Sequence, residues 1–213
     1  MKTFRMGLLG KKIGMTKIFK DDGAVIPVSV LQVGPCTVIR KITKEKDSYS
    51  AIQIGFDDKK ERKVNKPDLG NFKAAKASPK KFLKEIRLKD EDAAKYQIGQ
   101  EIKVADVFKA GEYVDVRGTS IGKGFQGVVK RHHMKGNTMT RGSHEYRRHV
   151  GSIGCRFPQH VLKGKRFPGH MGNENVTVQN LFIEDIKQED NLILVRGAVP
   201  GKNNYVVIKK AMK

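Results

Sequence analysis

The sequence has no tryptophan, only two cysteines and no apolar run long enough to cross a membrane. A membrane-spanning helix needs about 18 consecutive apolar residues, and no amphipathic basic helix of useful length is present either. Cys36 and Cys155 stand far apart without a C-x-x-C pair, which excludes the usual zinc-ribbon and redox motifs. The opening MKTFRMGLLGKKIGM lacks the apolar core and cleavage site of a signal peptide. We therefore expect reduced thiols and a cytoplasmic location.

Acidic residues are also scarce. The chain has 43 lysines and arginines against 22 acids, a formal net charge of +21. Such an excess repels itself in a compact protein, so it indicates a polyanionic partner, with nucleic acid first and an anionic membrane second. Residues 117–173 hold 12 of the basic residues, one acid, all six histidines and 11 of the 22 glycines. This window lacks the apolar periodicity of an independent core, and we interpret it as a long basic arm.

Short runs rich in Val and Ile, broken by Gly, Pro, Asn and Asp, predict strands on both sides of this window. They lie at residues 24–33, 37–42, 51–56, 101–107, 113–116, 176–183, 191–195 and 205–208. Because few helices separate them, we predict a mainly β fold with an antiparallel β-barrel body. Residues 1–116 and 174–213 would form this body, with a small helical insertion at about 65–95, and residues 117–173 would form a long, irregular basic extension.

Two helices are predicted within the insertion. Ser78 before Pro79 has the pattern of an N-cap followed by a first-turn proline, and Phe82, Leu83 and Ile86 would then share one helix face. An earlier short helix is predicted to begin at Pro67.

The stretch RGSHEYRRHVGSIG, residues 141–154, invites comparison with a zinc-protease helix. That motif needs two histidines four residues apart on one face. His144 and His149 are five apart, which on an α-helix places their imidazoles roughly 140° apart. Gly142 and Gly151 also disfavour a stable helix. We therefore predict a cationic loop without a metal, in which the histidines hydrogen-bond or stack on RNA.

The stretch GTSIGKGFQG, residues 118–127, resembles a phosphate-binding loop of an NTPase, but three residues rather than four precede its Gly-Lys pair. Gly124 also stands where that motif has Ser or Thr. A nucleotide-dependent enzyme is therefore disfavoured. Two alternatives remain, a glycine loop whose amides and Lys123 approach phosphate, and a plain mobile turn.

Basic residues and histidines recur along the arm, in VVKRHHM at 128–134 and KGKRFPGHMG at 163–172. Arginine suits bidentate phosphate contacts and stacking on bases. A histone-like DNA compactor is a further alternative, but the sequence has no positive signal for it. The arm lacks a recognition helix, so the irregular interior of a folded RNA suits it better than a DNA groove.

Five ordered motifs resemble the bacterial form of the large-subunit ribosomal protein number three family: GLLGKKIGMT at 7–16, GTSIGKGFQG at 118–127, GSIG at 151–154, KGK at 163–165 with GHMG at 169–172, and GAVPG at 197–201. The resemblance covers essentially the whole chain. It implies a β-barrel body on the outside of the large (50S) subunit and an extension that runs through RNA toward the peptidyl-transferase centre, with its tip around residues 141–157.

The resemblance also implies a structural protein that binds 23S ribosomal RNA early, near its 3′ end, and nucleates subunit assembly. The expected partners are 23S ribosomal RNA and neighbouring large-subunit proteins. No membrane partner, small-molecule substrate, cofactor, metal or catalytic residue is expected. Combined with the charge pattern, it predicts the following RNA-binding residues: Lys11, Lys12, Lys17, Lys123, Lys130, Arg131, His132, His133, Lys135, Arg141, His144, Arg147, Arg148, His149, Arg156, Lys163, Lys165, Arg166 and His170.

Overall fold

The computed structural model describes residues 4–212, and its secondary structure is mainly β, which confirms that part of the predicted fold class. The strands in this range are β1 Gly7–Phe19, β2 Val25–Val33, β3 Cys36–Ile42, β4 Ala51–Asp58, β5 Lys80–Arg87, β6 Glu101–Ile102, β7 Tyr113–Thr119, β8 Gly124–Gln126, β9 Gly169–Met171, β10 Asn175–Lys187, β11 Leu192–Arg196 and β12 Tyr205–Lys210. The α-helices are short: α1 Lys44–Asp47, α2 Lys66–Ala74, α3 Asp90–Ala94, α4 Val104–Val107 and α5 Val128–His132. Two further segments, Glu61–Lys63 and Arg141–Arg148, are 3₁₀-helical. Over residues 4–212, no helix has the length and apolarity needed to span a bilayer.

The described residues divide into two compact units. The chain up to Thr119 and from Asn175 onward forms one unit, here called the body, and Ser120–Glu174 forms the other, here called the arm unit. Strand β7 continues to Thr119, so Arg117 lies in a strand of the body.

Six strands of the body pair in a closed ring, in the order β1, β12, β7, β10, β11, β2 and back to β1. Every pair in the ring is antiparallel. Alternate residues of β7 and β12 are buried, as a sheet with one buried face requires. Ile208 of β12 lies opposite Val116 of β7, for example, and both are fully buried.

A second sheet, in the order β5, β4, β3, β6, completes the body. Most of its buried apolar residues belong to the same core cluster as those of the ring, whereas Ile39 of β3 packs in a smaller cluster with Phe72 and Ala75. Tyr205 of β12 joins the two sheets, because its ring stacks on Phe82 of β5 at 4.8 Å and its hydroxyl donates a 2.6 Å hydrogen bond to Asp57 of β4. The body therefore has one continuous main core.

The predicted helix after Ser78 is wrong, because Lys80–Arg87 forms strand β5. This strand pairs antiparallel with β4, with Phe82 opposite Phe56 and Ile86 opposite Ile52. The Ser78 hydroxyl donates to the Asp58 carboxylate instead of capping a helix. The apolar residues fit either pattern locally, and tertiary pairing with β4 decides between them. The short helix predicted from Pro67 is present as α2.

The predicted strand at 101–107 is also wrong over most of its length. Only Glu101–Ile102 is strand, and Val104–Val107 forms helix α4. The backbone amide of Lys103 donates to the carboxylate of Asp106, which stabilises the start of this helix. Val104, Val107 and Phe108 are buried, and their spacing is helical rather than alternating.

Candidate nucleic-acid interface

The arm unit carries a strong excess of positive charge. Residues 120–174 include 11 lysines and arginines but only two acids, Glu145 and Glu174. Seven ion pairs are found in the described part of the chain, and all seven join residues of the body. Over residues 4–212, no arm cation therefore has an acid at ion-pair distance. The charge of the arm unit remains free for an external anion.

The two ends of the arm unit are held together by backbone pairing. Strand β8 pairs antiparallel with β9, and the amide of Lys123 donates to the Met171 carbonyl at 2.9 Å. The amide of Ser120 donates to the Glu174 carbonyl at 2.9 Å. Two amides of the glycine loop are thus engaged within the chain, whereas the Lys123 side chain is exposed. Gly172 has φ 75°, and a Cβ there would collide with the Ile121 carbonyl, so this position requires glycine.

Arg131 and His132 follow the paired ends of the arm unit in the sequence and contact its returning segment. The Arg131 guanidinium donates to the Phe167 carbonyl at 2.9 Å, and His132 Nε2 lies 3.1 Å from the same oxygen. Because a carbonyl oxygen only accepts, Nε2 of His132 carries the proton. Both side chains are half-buried. These two predicted RNA-binding residues therefore hold the arm unit together, and their polar groups are partly occupied.

The stretch that resembled a zinc-protease helix forms 3₁₀ turns at Arg141–Arg148, interrupted by non-helical backbone at His144. His144 and His149 consequently do not share an α-helical face. In residues 4–212, no group of three His, Cys, Asp or Glu side chains is arranged to hold a metal ion. Asn137 stabilises these turns. Its backbone N–H donates to the Arg147 carbonyl at 3.1 Å, and its side-chain amide donates to the Tyr146 carbonyl at 3.3 Å.

Most of the remaining predicted site residues have exposed side chains. In the arm unit these are Lys123, Lys130, His133, Lys135, Arg141, His144, Arg147, Arg148, His149, Arg156, Lys163, Lys165, Arg166 and His170. The structure thus gathers these 14 exposed basic or imidazole side chains, together with exposed His160, in one compact unit of 55 residues. This is the arrangement expected of a surface that neutralises several phosphates.

The three predicted lysines of strand β1 differ from one another. Lys17 is exposed and Lys11 is half-buried. Lys12 is only 9% exposed, and its ammonium donates to the Val199 carbonyl at 2.8 Å and to that of Gly201 at 3.4 Å. Burial lowers the pKa of Lys12 below its ordinary value. Lys12 therefore tethers the 197–201 loop of the body, a contact that joins residues 187 positions apart and that sequence reasoning missed.

Glycines explain why β1 can lie in the ring. A Cβ on Gly7 would collide with the Ile208 carbonyl, and one on Gly10 would collide with the Gln32 carbonyl. The motif at 7–16 is thus partly a requirement for close strand approach.

Three aromatic rings of the arm unit were also missed. Phe125, Tyr146 and Phe157 are 75%, 64% and 69% exposed. The available signal was the interleaving of each ring with basic residues, since Lys123, Arg147 and Arg156 are close in sequence.

Comparison with known proteins identifies the family of this chain. The family model described as ribosomal protein L3 matches residues 85–192. Large ribosomal subunit protein uL3 of Pelotomaculum thermopropionicum is 53% identical over 208 residues, which cover 97% of each chain. The uL3 proteins of Brachyspira hyodysenteriae and Heliobacterium modesticaldum are each 50% identical; these matches cover 95% and 98% of this chain, and 92% and 98% of the relatives. The chain belongs to the ribosomal protein L3 family.

Proposed function

We propose that this protein is a structural constituent of the large (50S) ribosomal subunit that binds 23S ribosomal RNA through its arm unit. It would bind early, near the 3′ end of the RNA, and nucleate subunit assembly. The arm unit would reach toward the peptidyl-transferase centre, and the body would contact neighbouring ribosomal proteins. The proposed location is the cytoplasm, within the ribosome, and the closed ring of six strands is proposed to be the expected antiparallel barrel.

Family membership supports this proposal. The similar proteins are named large ribosomal subunit proteins, and the family is a structural one of the ribosome rather than an enzyme family. This confirms the prediction that the chain is not an enzyme. The proposal therefore includes no catalytic residue, cofactor or small-molecule substrate.

The free cations of the arm unit are the observation that carries the RNA-binding part. Each exposed lysine or arginine there would neutralise a phosphate, and arginine would do so with two parallel hydrogen bonds. Lys12, Arg131 and His132 would act differently, since their polar groups already contact carbonyl oxygens within the chain. We therefore place these three residues outside the main phosphate contacts.

A salt series tests the proposal with the full chain and two matched triple variants. In the arm variant, Lys123, Lys163 and Lys165 are changed to Gln; in the body variant, Lys60, Lys63 and Lys66, which are also exposed, are changed to Gln. Binding to a 23S ribosomal RNA transcript and to duplex DNA of random sequence is measured. With roughly 6–10 phosphate contacts, wild-type affinity should fall by about 10³- to 10⁵-fold between about 50 and 200 mM salt.

The arm variant should flatten the salt dependence by about 2 to 3 units of slope, because each lost phosphate contact removes about 0.7 to 0.9. The body variant should match wild type. Equal affinity of wild type for both nucleic acids would overturn the assignment and favour a general DNA compactor. Equal slopes for the two variants would remove the arm unit as the binding surface.

A further inference from the structure

Three of the four aromatic residues in the arm unit are exposed. Phe125, Tyr146 and Phe157 present 75%, 64% and 69% of their surface to solvent, whereas Phe167 is half-buried. In the body, Phe56, Phe72 and Phe108 are almost completely buried, whereas Phe19 and Tyr113 are 73% and 48% exposed. The three rings therefore contribute to the surface of the arm unit rather than to a core.

Each exposed ring lies beside a cationic or imidazole side chain. The Arg156 guanidinium lies 5.6 Å from the centre of the Phe157 ring. The rings of Tyr146 and His149 are 5.1 Å apart and inclined by 42°. Phe125 of β8 lies directly opposite His170 of β9, and directly opposed residues project from the same face of a strand pair. The pairing of a flat apolar ring with a proton-donating or charged group therefore occurs three times.

One nucleotide offers the matching chemistry, a flat base joined to a charged phosphate. In a duplex both faces of each base are covered by its neighbours, so aromatic side chains stack mainly on unpaired bases in loops, bulges and single strands. We propose that Phe125, Tyr146 and Phe157 each stack on an unpaired RNA base, while the adjacent Arg156, His149 and His170 bind the flanking phosphate or base edge. This inference rests on the proposed function and adds a way of distinguishing folded, loop-containing RNA from a plain duplex.

The charge of the arm unit favours RNA over a protein partner for these rings. A protein would need a strongly acidic surface to accept the cations that surround them, and it would also need apolar pockets for three separate rings. RNA supplies both requirements in one molecule, because every nucleotide has a π face and a phosphate.

Single substitutions in the full chain test the proposal. Phe125→Leu, Tyr146→Leu and Phe157→Leu keep an apolar side chain but remove the ring. Tyr146→Phe keeps the ring, and Met139→Leu changes a residue of the same unit that is 77% exposed but not aromatic. Affinity is measured across a salt series for a 23S ribosomal RNA transcript and for a fully paired RNA duplex. Zero-length ultraviolet crosslinking to the transcript is mapped by mass spectrometry.

Each ring-removing variant should bind the transcript about 5- to 150-fold more weakly. Its salt slope should be unchanged, because no phosphate contact is lost, and its affinity for the duplex should be unchanged. Tyr146→Phe and Met139→Leu should match wild type. Wild type should crosslink at the three rings to unpaired nucleotides, and each crosslink should disappear with its ring.

If the ring-removing variants bind the transcript within about twofold of wild type and no ring crosslinks, the stacking proposal is overturned and the rings are left to a protein partner. That outcome is distinct from failure of the proposed function, in which wild type itself would not prefer the transcript to duplex DNA. A lower salt slope in the Leu variants would also contradict stacking, since it would mean that these residues act by positioning cations.

Discussion

The guanidinium of Arg131 donates a 2.9 Å hydrogen bond to the carbonyl oxygen of Phe167, which lies 36 residues further along the chain. His132 contacts the same oxygen at 3.1 Å. The contact joins the outgoing and returning segments of the arm unit near the short β8 and β9 pairing. A side chain whose type suggests an RNA contact thus has a structural role that composition does not reveal.

Arg131→Met should loosen the arm unit without removing a main phosphate contact. Loss of the hydrogen bond to Phe167 costs about 1 kcal/mol, which corresponds to roughly fivefold faster amide exchange in the β8 and β9 pairing. The control is Arg166→Met, because Arg166 is exposed. That variant should leave exchange unchanged and reduce the salt slope for 23S ribosomal RNA by about 0.7 to 0.9. The interpretation is wrong if Arg166→Met accelerates amide exchange and Arg131→Met lowers the salt slope instead.

Gly172→Ala should disrupt the pairing between the two ends of the arm unit. Gly172 has φ 75°, and an added Cβ would collide with backbone at Ile121. The left-handed backbone alone costs about 1–2 kcal/mol for alanine, and the collision adds to it. Gly154→Ala is the matched control, since nothing lies within 4 Å of its added Cβ. Limited proteolysis should cut the Gly172 variant faster between 120 and 174 and should leave the control at the wild-type rate.

Sequence patterns predicted the parts of the fold in which side chains carry the signal. The Val- and Ile-rich runs marked most strands of the body, because one of their faces is buried. Strand β1 was not predicted, because Gly7 and Gly10 have no side chain to show alternation. Strands approach closely at both positions. The apolar spacing of the Lys80–Arg87 segment fits both a helix and a strand, and only its pairing with β4 selects the strand.

The same reasoning explains the outcome for the candidate site. The cationic character of residues 117–173 was visible in composition, and the arm unit is indeed rich in exposed cations. Composition could not separate free cations from those engaged inside the protein, because the contacts of Lys12 and Arg131 join residues 187 and 36 positions apart. Exposure of Tyr146 likewise depends on the fold around it.

Lys12→Met should destabilise the body by about 1–3 kcal/mol at neutral pH, because two carbonyl oxygens lose their donor. The pH dependence has a definite sign. Burial lowers the Lys12 pKa in the folded state, so the unfolded chain binds more protons between the folded pKa and the ordinary lysine value. Stability therefore rises with pH across that window. Urea unfolding at several alkaline pH values should show that the difference in the free energy of unfolding between wild type and Lys12→Met increases with pH. A constant or decreasing difference would contradict the assignment.

The two cysteines should differ strongly in reactivity. Cys36 is fully buried, its thiol contacts the Leu9 carbonyl, and burial raises its pKa to about 11. At pH 8 only about one in a thousand Cys36 thiols would be ionised. Cys155 is exposed in the arm unit. Iodoacetamide should label only Cys155 in the native protein and both thiols after denaturation.

Binding to 23S ribosomal RNA should also slow the labelling of Cys155, since the arm unit is the proposed contact surface. Duplex DNA added at the same phosphate concentration is the control and should protect Cys155 less. Equal labelling with and without ribosomal RNA would place Cys155 outside the interface.

Arg147→Ala and Arg148→Ala should each weaken large-subunit assembly modestly. Both side chains are exposed in the 3₁₀ turns at Arg141–Arg148, and Asn137 binds the backbone carbonyl of Arg147 rather than its side chain. The turns should therefore persist while one charge is lost, so each variant should lose about one phosphate contact. Arg62→Ala, an exposed change in the body, is the matched control. Subunit yield in sucrose gradients and translation rate should fall for the arm variants only, and unchanged values for both would remove these arginines from the interface.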